Sequence, residues 1–228
     1  MAWLRMQRAR ARNALNSDLI SQLERALGEA QSAACLVLSG AEGVFSAGAD
    51  LRERAGLSAP QRTAHTRRIA ALCDQLEAFP VPVAACIQGA CLAGGLELAL
   101  ACDVRFASED AIFGFPEVSL GIFPGADGPL RLSRLVGPGR AASLLYSARR
   151  VGFAEAREMG LVEAGPALNW ARSVAANSKQ AVRALKAGLR ASRELPWAEA
   201  SLALRQHREP LDASPEYTAA LAAFKSKS

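Results

Sequence analysis

The chain has 228 residues, half of them apolar and 21% charged, with a formal net charge of +5. Such a balance describes a folded chain with a sizeable core and excludes a disordered or low-complexity one. Apolar stretches such as that around 98–102 are too short to cross a bilayer and no apolar leader with a small-residue cleavage site opens the sequence, so membrane insertion and secretion are disfavoured. The expected setting is the cytoplasm, or the mitochondrial matrix in a eukaryote.

In chain order, the opening is basic: Arg5, Arg8, Arg10 and Arg12 stand before the first acid, Asp18. Four readings fit it. A mitochondrial presequence is Arg-rich but also Ser-rich and amphipathic, which MAWLRMQRARAR is only weakly. A nucleic-acid surface interleaves aromatic residues for stacking, and Trp3 stands alone, so nucleic acid is not an expected partner. Phosphate contacts to a polyanionic small ligand need one or two arginines, and a solvated basic face needs no partner.

Leu15, Leu19, Ile20, Leu23, Ala26 and Leu27 recur at helical spacing around a Ser17-Asp18 start, which predicts an amphipathic helix over 17–30. CLVLSG (35–40) reads as a short buried strand and AEGVFSAGADLRE (41–53) as a loop. From Pro60, the spacing of Ile69, Leu72, Cys73, Leu76 and Phe79 marks a second amphipathic helix, stopped by FPVP. VAACIQG (83–89) is another buried strand, followed by a glycine-rich turn and an apolar helix that holds Glu97. VRFAS (104–108) and AIFGF (111–115) are short strands, and GIFPGADGP (121–129) is a loop. Beyond about residue 130 the pattern is almost wholly helical, broken at GPGR, with a long helix near 168–190. The chain is therefore predicted to be α/β, with a core over 1–165 and a helical C-terminal subdomain over 166–228.

Cys35, Cys73, Cys86, Cys91 and Cys102 are odd in number and lack CxxC pairs or a histidine at ligand spacing. They read as reduced, buried small side chains. His65 and His207 lie in polar helical contexts and read as surface residues, which leaves little for a Ser-His or Cys-His triad and no visible metal cluster.

Glu97 and Glu117 are the unusual residues. Glu97 stands in GACLAGGLELALACD (89–103), and a carboxylate there is costly unless paired, neutralised or used. Alone, it would read as an acid in a first helical turn, stabilised by the dipole. Glu117, however, is the single ionisable group between Asp110 and Asp127, in a second mostly apolar segment. Two isolated carboxylates of this kind suit an acid and base pair in one pocket, although spacing alone does not establish their convergence.

Three stretches, FSAGADL (45–51), IQGACLAGGLELALACD (87–103) and FGFPEVSLGIFPG (113–125), resemble in order and spacing the motifs of the enoyl-CoA hydratase/isomerase family, the crotonase superfamily. The resemblance runs from about Arg8 to the C-terminal AAF. It implies a crotonase-like right-handed spiral of repeated ββα units, with a helical C-terminal region that builds homotrimers or dimers of trimers. It also implies an acyl-CoA thioester as substrate, with coenzyme A entering as part of that substrate and no separate cofactor or metal. By that resemblance the main-chain N–H groups of Ala49 and Gly94 form an oxyanion hole, an arrangement that gives an enolate two fixed donors.

The resemblance further assigns Glu117 chiefly as proton donor and Glu97 chiefly as the group that activates water, which implies hydration of a trans-2-enoyl-CoA to a 3-hydroxyacyl-CoA. Ala47, Asp50 and Leu51 are implied as a coenzyme A loop, Arg10 and Ala11 as phosphate contacts, Gly125 as pocket wall near the water, and Phe224 and Lys225 as a C-terminal cover over coenzyme A. Other crotonase-type enzymes (an isomerase, a methylglutaconyl-type hydratase, a thioester hydrolase) remain alternatives, as does a non-catalytic or RNA-binding relative. The sequence departs from the family pattern at PGADGPLRL (124–132), where Asp127 is expected to cap the next helix, and at Ala93, where a glycine is usual. The first strand, before MQRARARNAL, is expected to be curtailed and the GLVEAGPALNWAR connection (160–172) shortened.

Overall fold

The structure, a computed structural model, describes residues 1–225. Its first strand, β1 (Ala2–Met6), is followed by a single 3-10 turn and by helix α1 (Ser17–Glu29), whose cap is Asn16 accepting from Leu19 N. Strand β2 (Leu36–Gly40) pairs in parallel with β1 from Ala2↔Leu36 to Met6↔Gly40. The expected curtailed first strand is thus an ordered edge strand. Its mixed burial, with Trp3 and Arg5 more exposed than Met6, is what hides it from a search for apolar runs.

After β2 come a short helix α2 (Leu51–Ala55) and the long α3 (Ala59–Glu77). Helix α2 replaces the tail of the expected loop, because Asp50 accepts from Arg52 N and Glu53 N and so satisfies two donors of its first turn. Strands β3 (Val83–Ile87) and β4 (Ala90–Leu92) then lead into α4 (Gly94–Ala101), so the expected glycine-rich turn contains a strand. The same order repeats in β5 (Val104–Ala107), β6 (Ile112–Gly114) and α5 (Gly128–Val136).

Each turn of the chain adds one strand to each of two sheets. The first sheet has the order β1-β2-β3-β5, all parallel. In the second, Ser46 bridges Cys91 of β4, which pairs in parallel with β6. This is the spiral of ββα units expected above.

Two-residue periodicity fixes the faces of the first sheet. Leu36, Leu38, Val83 and Ala85 turn into the main core with α1 and α3, whereas Cys35, Val37 and Ala84 pack on a second apolar cluster with Ala167 and Ala171. Both faces being covered explains why CLVL carries no polar alternation.

The chain continues with α6 (Pro138–Ser147), β7 (Arg150–Gly152), which runs antiparallel to β6, and α7 (Phe153–Glu158). The region after 130 is thus almost wholly helical, with β7 as its one strand among the described residues. The long helix expected near 168–190 is two helices, α8 (Ala167–Ala175) and α9 (Lys179–Glu194), separated where Ser178 caps α9 by accepting from Ala181 N. Helix α9 is held to the core by Lys186, whose Nζ donates to Asp103 Oδ2 at 2.7 Å and Val81 O at 3.0 Å. Helices α10 (Trp197–Asp212) and α11 (Pro215–Lys225) complete the described chain. Among the described residues, no helix is long and apolar enough to cross a membrane.

Candidate active site

Two main-chain N–H groups approach each other where the two sheets meet. The segment around Ala49 is bridged to Leu15: Leu15 N donates to Gly48 O at 2.8 Å and Asp50 N donates to Leu15 O at 3.1 Å. Because extended backbone alternates its direction, Ala49 N points away from Leu15. Gly94 opens α4, so its N–H is one of the donors that a helix leaves unused. The two segments are in close contact: a methyl on Gly94 would lie 3.6 Å from Ala49 N, and one on Gly48 would lie 3.0 Å from Gly94 N. Gly48, at φ +91°, has a backbone that side chains resist.

Ala93, just before Gly94, has φ 50° and ψ −131°, a strained conformation for a residue with a side chain. It directs the chain from β4 into α4, and the strain sits directly beside the donor.

Glu97 lies in the first turn of α4 and is buried. Its Oε1 accepts from Ala126 N at 2.8 Å and Gly128 N at 3.0 Å. Among the described residues Oε2 has no hydrogen-bond partner, so one oxygen anchors the side chain and the other remains for a ligand or water. Burial raises its pKa, and the two main-chain donors and Arg131 oppose that rise. Glu117 begins a 3-10 turn after β6 and is 6% exposed, with Oε2 buried and unpartnered among the described residues. Burial, reinforced by the nearby Glu97, pushes its pKa up to about 7. A carboxyl group with that value exchanges a proton near neutral pH.

Ala49, Gly94, Glu97 and Glu117 all line one narrow cleft of about 90 Å3, together with Ala47, Leu51 and Gly125. Larger hollows, of about 590 and 500 Å3, lie beside Trp3 and Arg134, and none of those four residues lines either. Volume therefore does not identify the chemistry here, whereas convergence of donors and carboxylates does.

The other sequence-derived candidates are not gathered into the cleft. Arg10 and Ala11 sit in the turn after β1, and Phe224 and Lys225 on the exposed α11; none of the four lines the cleft of this chain. The Asp50 carboxylate accepts from Arg8, Arg52 N and Glu53 N and so holds the loop in shape. Asp127 stands at the start of α5, but at φ 60° its side chain caps nothing, and its charge instead raises the pKa of Glu97. His65 is the clearest correction. It is 4% exposed, with Nε2 3.3 Å from Glu53 Oε2, because its turn of α3 faces α2 rather than solvent. His207 is exposed, as expected.

Sequence reasoning missed Arg54, Thr66, Ile69, Leu120, Ile122 and Phe123, which also line the cleft. The signal for the last three lay inside the third motif, as bulky apolar residues in a loop that would otherwise be polar.

A ββα spiral with two main-chain donors brought to one cleft is the arrangement of the crotonase class. The enoyl-CoA hydratase/isomerase family model matches residues 1–227, and the chain belongs to that family. Bacillus subtilis YngF is 44% identical over 167 residues, which are 72% of this chain and 64% of that protein. Mouse enoyl-CoA hydratase domain-containing protein 2, mitochondrial, is 43% identical over 168 residues, 72% of this chain and 57% of that protein. The chain thus spans less than two thirds of these relatives. The structure of an enoyl-CoA hydratase from Bacillus anthracis superposes with a TM-score of 0.94 at 36% identity, covering 99% of this chain and 93% of the other.

Proposed function

We propose that this protein hydrates a trans-2-enoyl-CoA to a 3-hydroxyacyl-CoA by syn addition of water. One observation carries the reading: Glu97 and Glu117 line the same cleft as the Ala49 and Gly94 donors. The thioester oxygen takes both N–H groups. Glu97, ionised, removes a proton from water through its unanchored oxygen as the water oxygen bonds to Cβ. The double-bond electrons move toward the thioester oxygen, and the enolate that forms is held by the two donors, each worth about 3 kcal/mol. Glu117, protonated, then gives its proton to Cα as the carbonyl re-forms. Water has been added across the bond, and the proton on Glu97 returns to Glu117 through solvent to reset the pair. The addition is redox-neutral and needs no separate cofactor. A double-bond isomerase of this family usually manages with one acid, so the second carboxylate favours hydration.

The coenzyme A moiety, on this reading, follows Ala47 and Leu51, with Arg10, Ala11 and, from a neighbouring copy, Phe224 and Lys225 as its outer contacts. The exposed Trp197, Leu202 and Phe224 leave apolar surface on the C-terminal helices for contact between copies, which on the family reading is that of a homotrimer. The test follows the absorbance of the conjugated thioester of crotonyl-CoA. Its loss with wild type and its persistence with Glu117→Gln support hydration; a shifted double bond without added water supports an isomerase instead.

A further inference from the structure

Arg54 is the one cation lining the cleft among the described residues. Its Nη1 donates to Thr66 Oγ1 at 3.1 Å, and Thr66 Oγ1 in turn donates to Arg62 O at 3.1 Å, so the guanidinium is held in place by a neutral group. No carboxylate among the described residues forms an ion pair with it. Arg8 is paired with Asp50, Arg68 with Glu24, and Arg131 with Asp74 and Glu77, whereas the exposed Arg52, Arg62 and Arg67 form no ion pair among the described residues either; Arg54 differs from these three in lining the cleft. Even the adjacent Glu53 is turned to His65 and Ser17 N.

The position of this charge along the cleft is set by α3. Ile69 packs at the level of the oxyanion donors, 3.7 Å from where a methyl on Gly94 would stand. Thr66 lies one turn earlier, against Gly125, where a methyl would approach its Cγ2 to 2.2 Å. One helical turn is about 5 Å, which is also about the span of four carbon–carbon bonds. With the thioester seated on the two donors, as in the hydratase reading, an acyl chain that leaves them toward Gly125 would bring its far end to a guanidinium fixed there. Against a methyl terminus it would lose hydration without compensation, whereas a carboxylate would satisfy it through two parallel bonds. The same pairing offsets the repulsion that the ionised Glu97 exerts on an acidic substrate.

We propose that Arg54 is a specificity residue that pairs with a carboxylate on the distal end of the acyl chain, so that the preferred substrate is a 2-enoyl-CoA bearing a carboxylate about four bonds from the thioester carbon. The proposal rests on the hydratase reading for its reaction but not for its binding step. A charge-assisted pair of this kind is worth about 10- to 100-fold in discrimination.

The experiment compares glutaconyl-CoA with crotonyl-CoA by kcat/KM, and the saturated glutaryl-CoA with butyryl-CoA by calorimetric Kd, in wild type, Arg54→Met and Arg54→Lys, with thermal melts to establish folding. Wild type is expected to prefer the carboxylated thioester in both comparisons by about 10- to 100-fold. Arg54→Met is expected to bring both ratios close to one by weakening only the carboxylated member, and Arg54→Lys to restore part of the preference. Equal loss for both thioesters would assign Arg54 to coenzyme A and overturn the proposal, as would unchanged ratios. If neither thioester is hydrated, the hydratase reading fails alone, because the glutaryl-CoA comparison still reports on Arg54.

Discussion

Replacing Glu117 with Gln should make the protein inactive and, above neutral pH, more stable. The carboxyl is buried beside Glu97, and burial carries its pKa from the ordinary 4.5 up to about 7. The sign follows directly: a folded-state pKa above the unfolded one means that the native state holds the proton more tightly. The group therefore costs nothing below about pH 4.5, where both states are neutral, and its cost grows as pH rises through 7, where the native state must ionise it. At 1.36 kcal/mol for each pH unit the full cost is about 3 kcal/mol, and about 2 kcal/mol is retained once the wet cleft is allowed for. Gln has no charge to place there. Denaturant melts should then show Glu117→Gln more stable than wild type by about 2 kcal/mol at pH 8.5, with a difference below about 1 kcal/mol at pH 5. Hydration of crotonyl-CoA should fall by about 10²- to 10⁴-fold, the usual worth of a positioned acid. A stability difference that ignores pH, or a variant that retains activity, would refute the reasoning.

Further outcomes follow from the same geometry. In the pH profile of kcat/KM, activity should rise with ionisation of Glu97 and fall above about 7 as Glu117 loses its proton; a profile flat across neutrality would contradict the assigned roles. Gly48→Ala would bring a methyl within 2.6 Å of Ala93 Cβ at φ +91°, so it should cut kcat by about 10²-fold or more by separating the two donors; wild-type turnover would argue against that pairing. Ala93→Gly should relieve the strain and raise stability by about 1 kcal/mol in denaturant melts while leaving turnover close to wild type. Asp103→Asn removes the partner of the buried Lys186 and should destabilise the protein by about 3 kcal/mol; an unchanged melt would mean that the pair does not hold α9.

The sequence was most informative where one physical signal dominated. Continuous apolar runs gave β2 and β3, and helical spacing gave α1 and α3 to within a residue or two. Short elements escaped because their cause is tertiary: β4 and β7 have three residues each and are strands only because a neighbouring strand pairs with them. The break between α8 and α9 was readable in Ser178, an ordinary cap, but the strong periodicity on either side concealed it.

At the site, the two isolated glutamates pointed to the cleft, while their convergence required the fold. Arg10 and Ala11 lie outside the cleft, in the turn after β1, and Arg8 from the same basic stretch pairs with Asp50. His65 was misread because helical polarity says nothing about which neighbour a face meets. Arg54 was overlooked because one arginine in an arginine-rich stretch has no signature until the fold sets it against the cleft.

The most direct measurement is a crystal structure of the protein with a bound acyl-CoA. The account predicts the thioester oxygen about 3 Å from both Ala49 N and Gly94 N, with Glu97 and Glu117 on one side of the Cα–Cβ bond. A thioester held elsewhere, or carboxylates turned away from those two carbons, would contradict it.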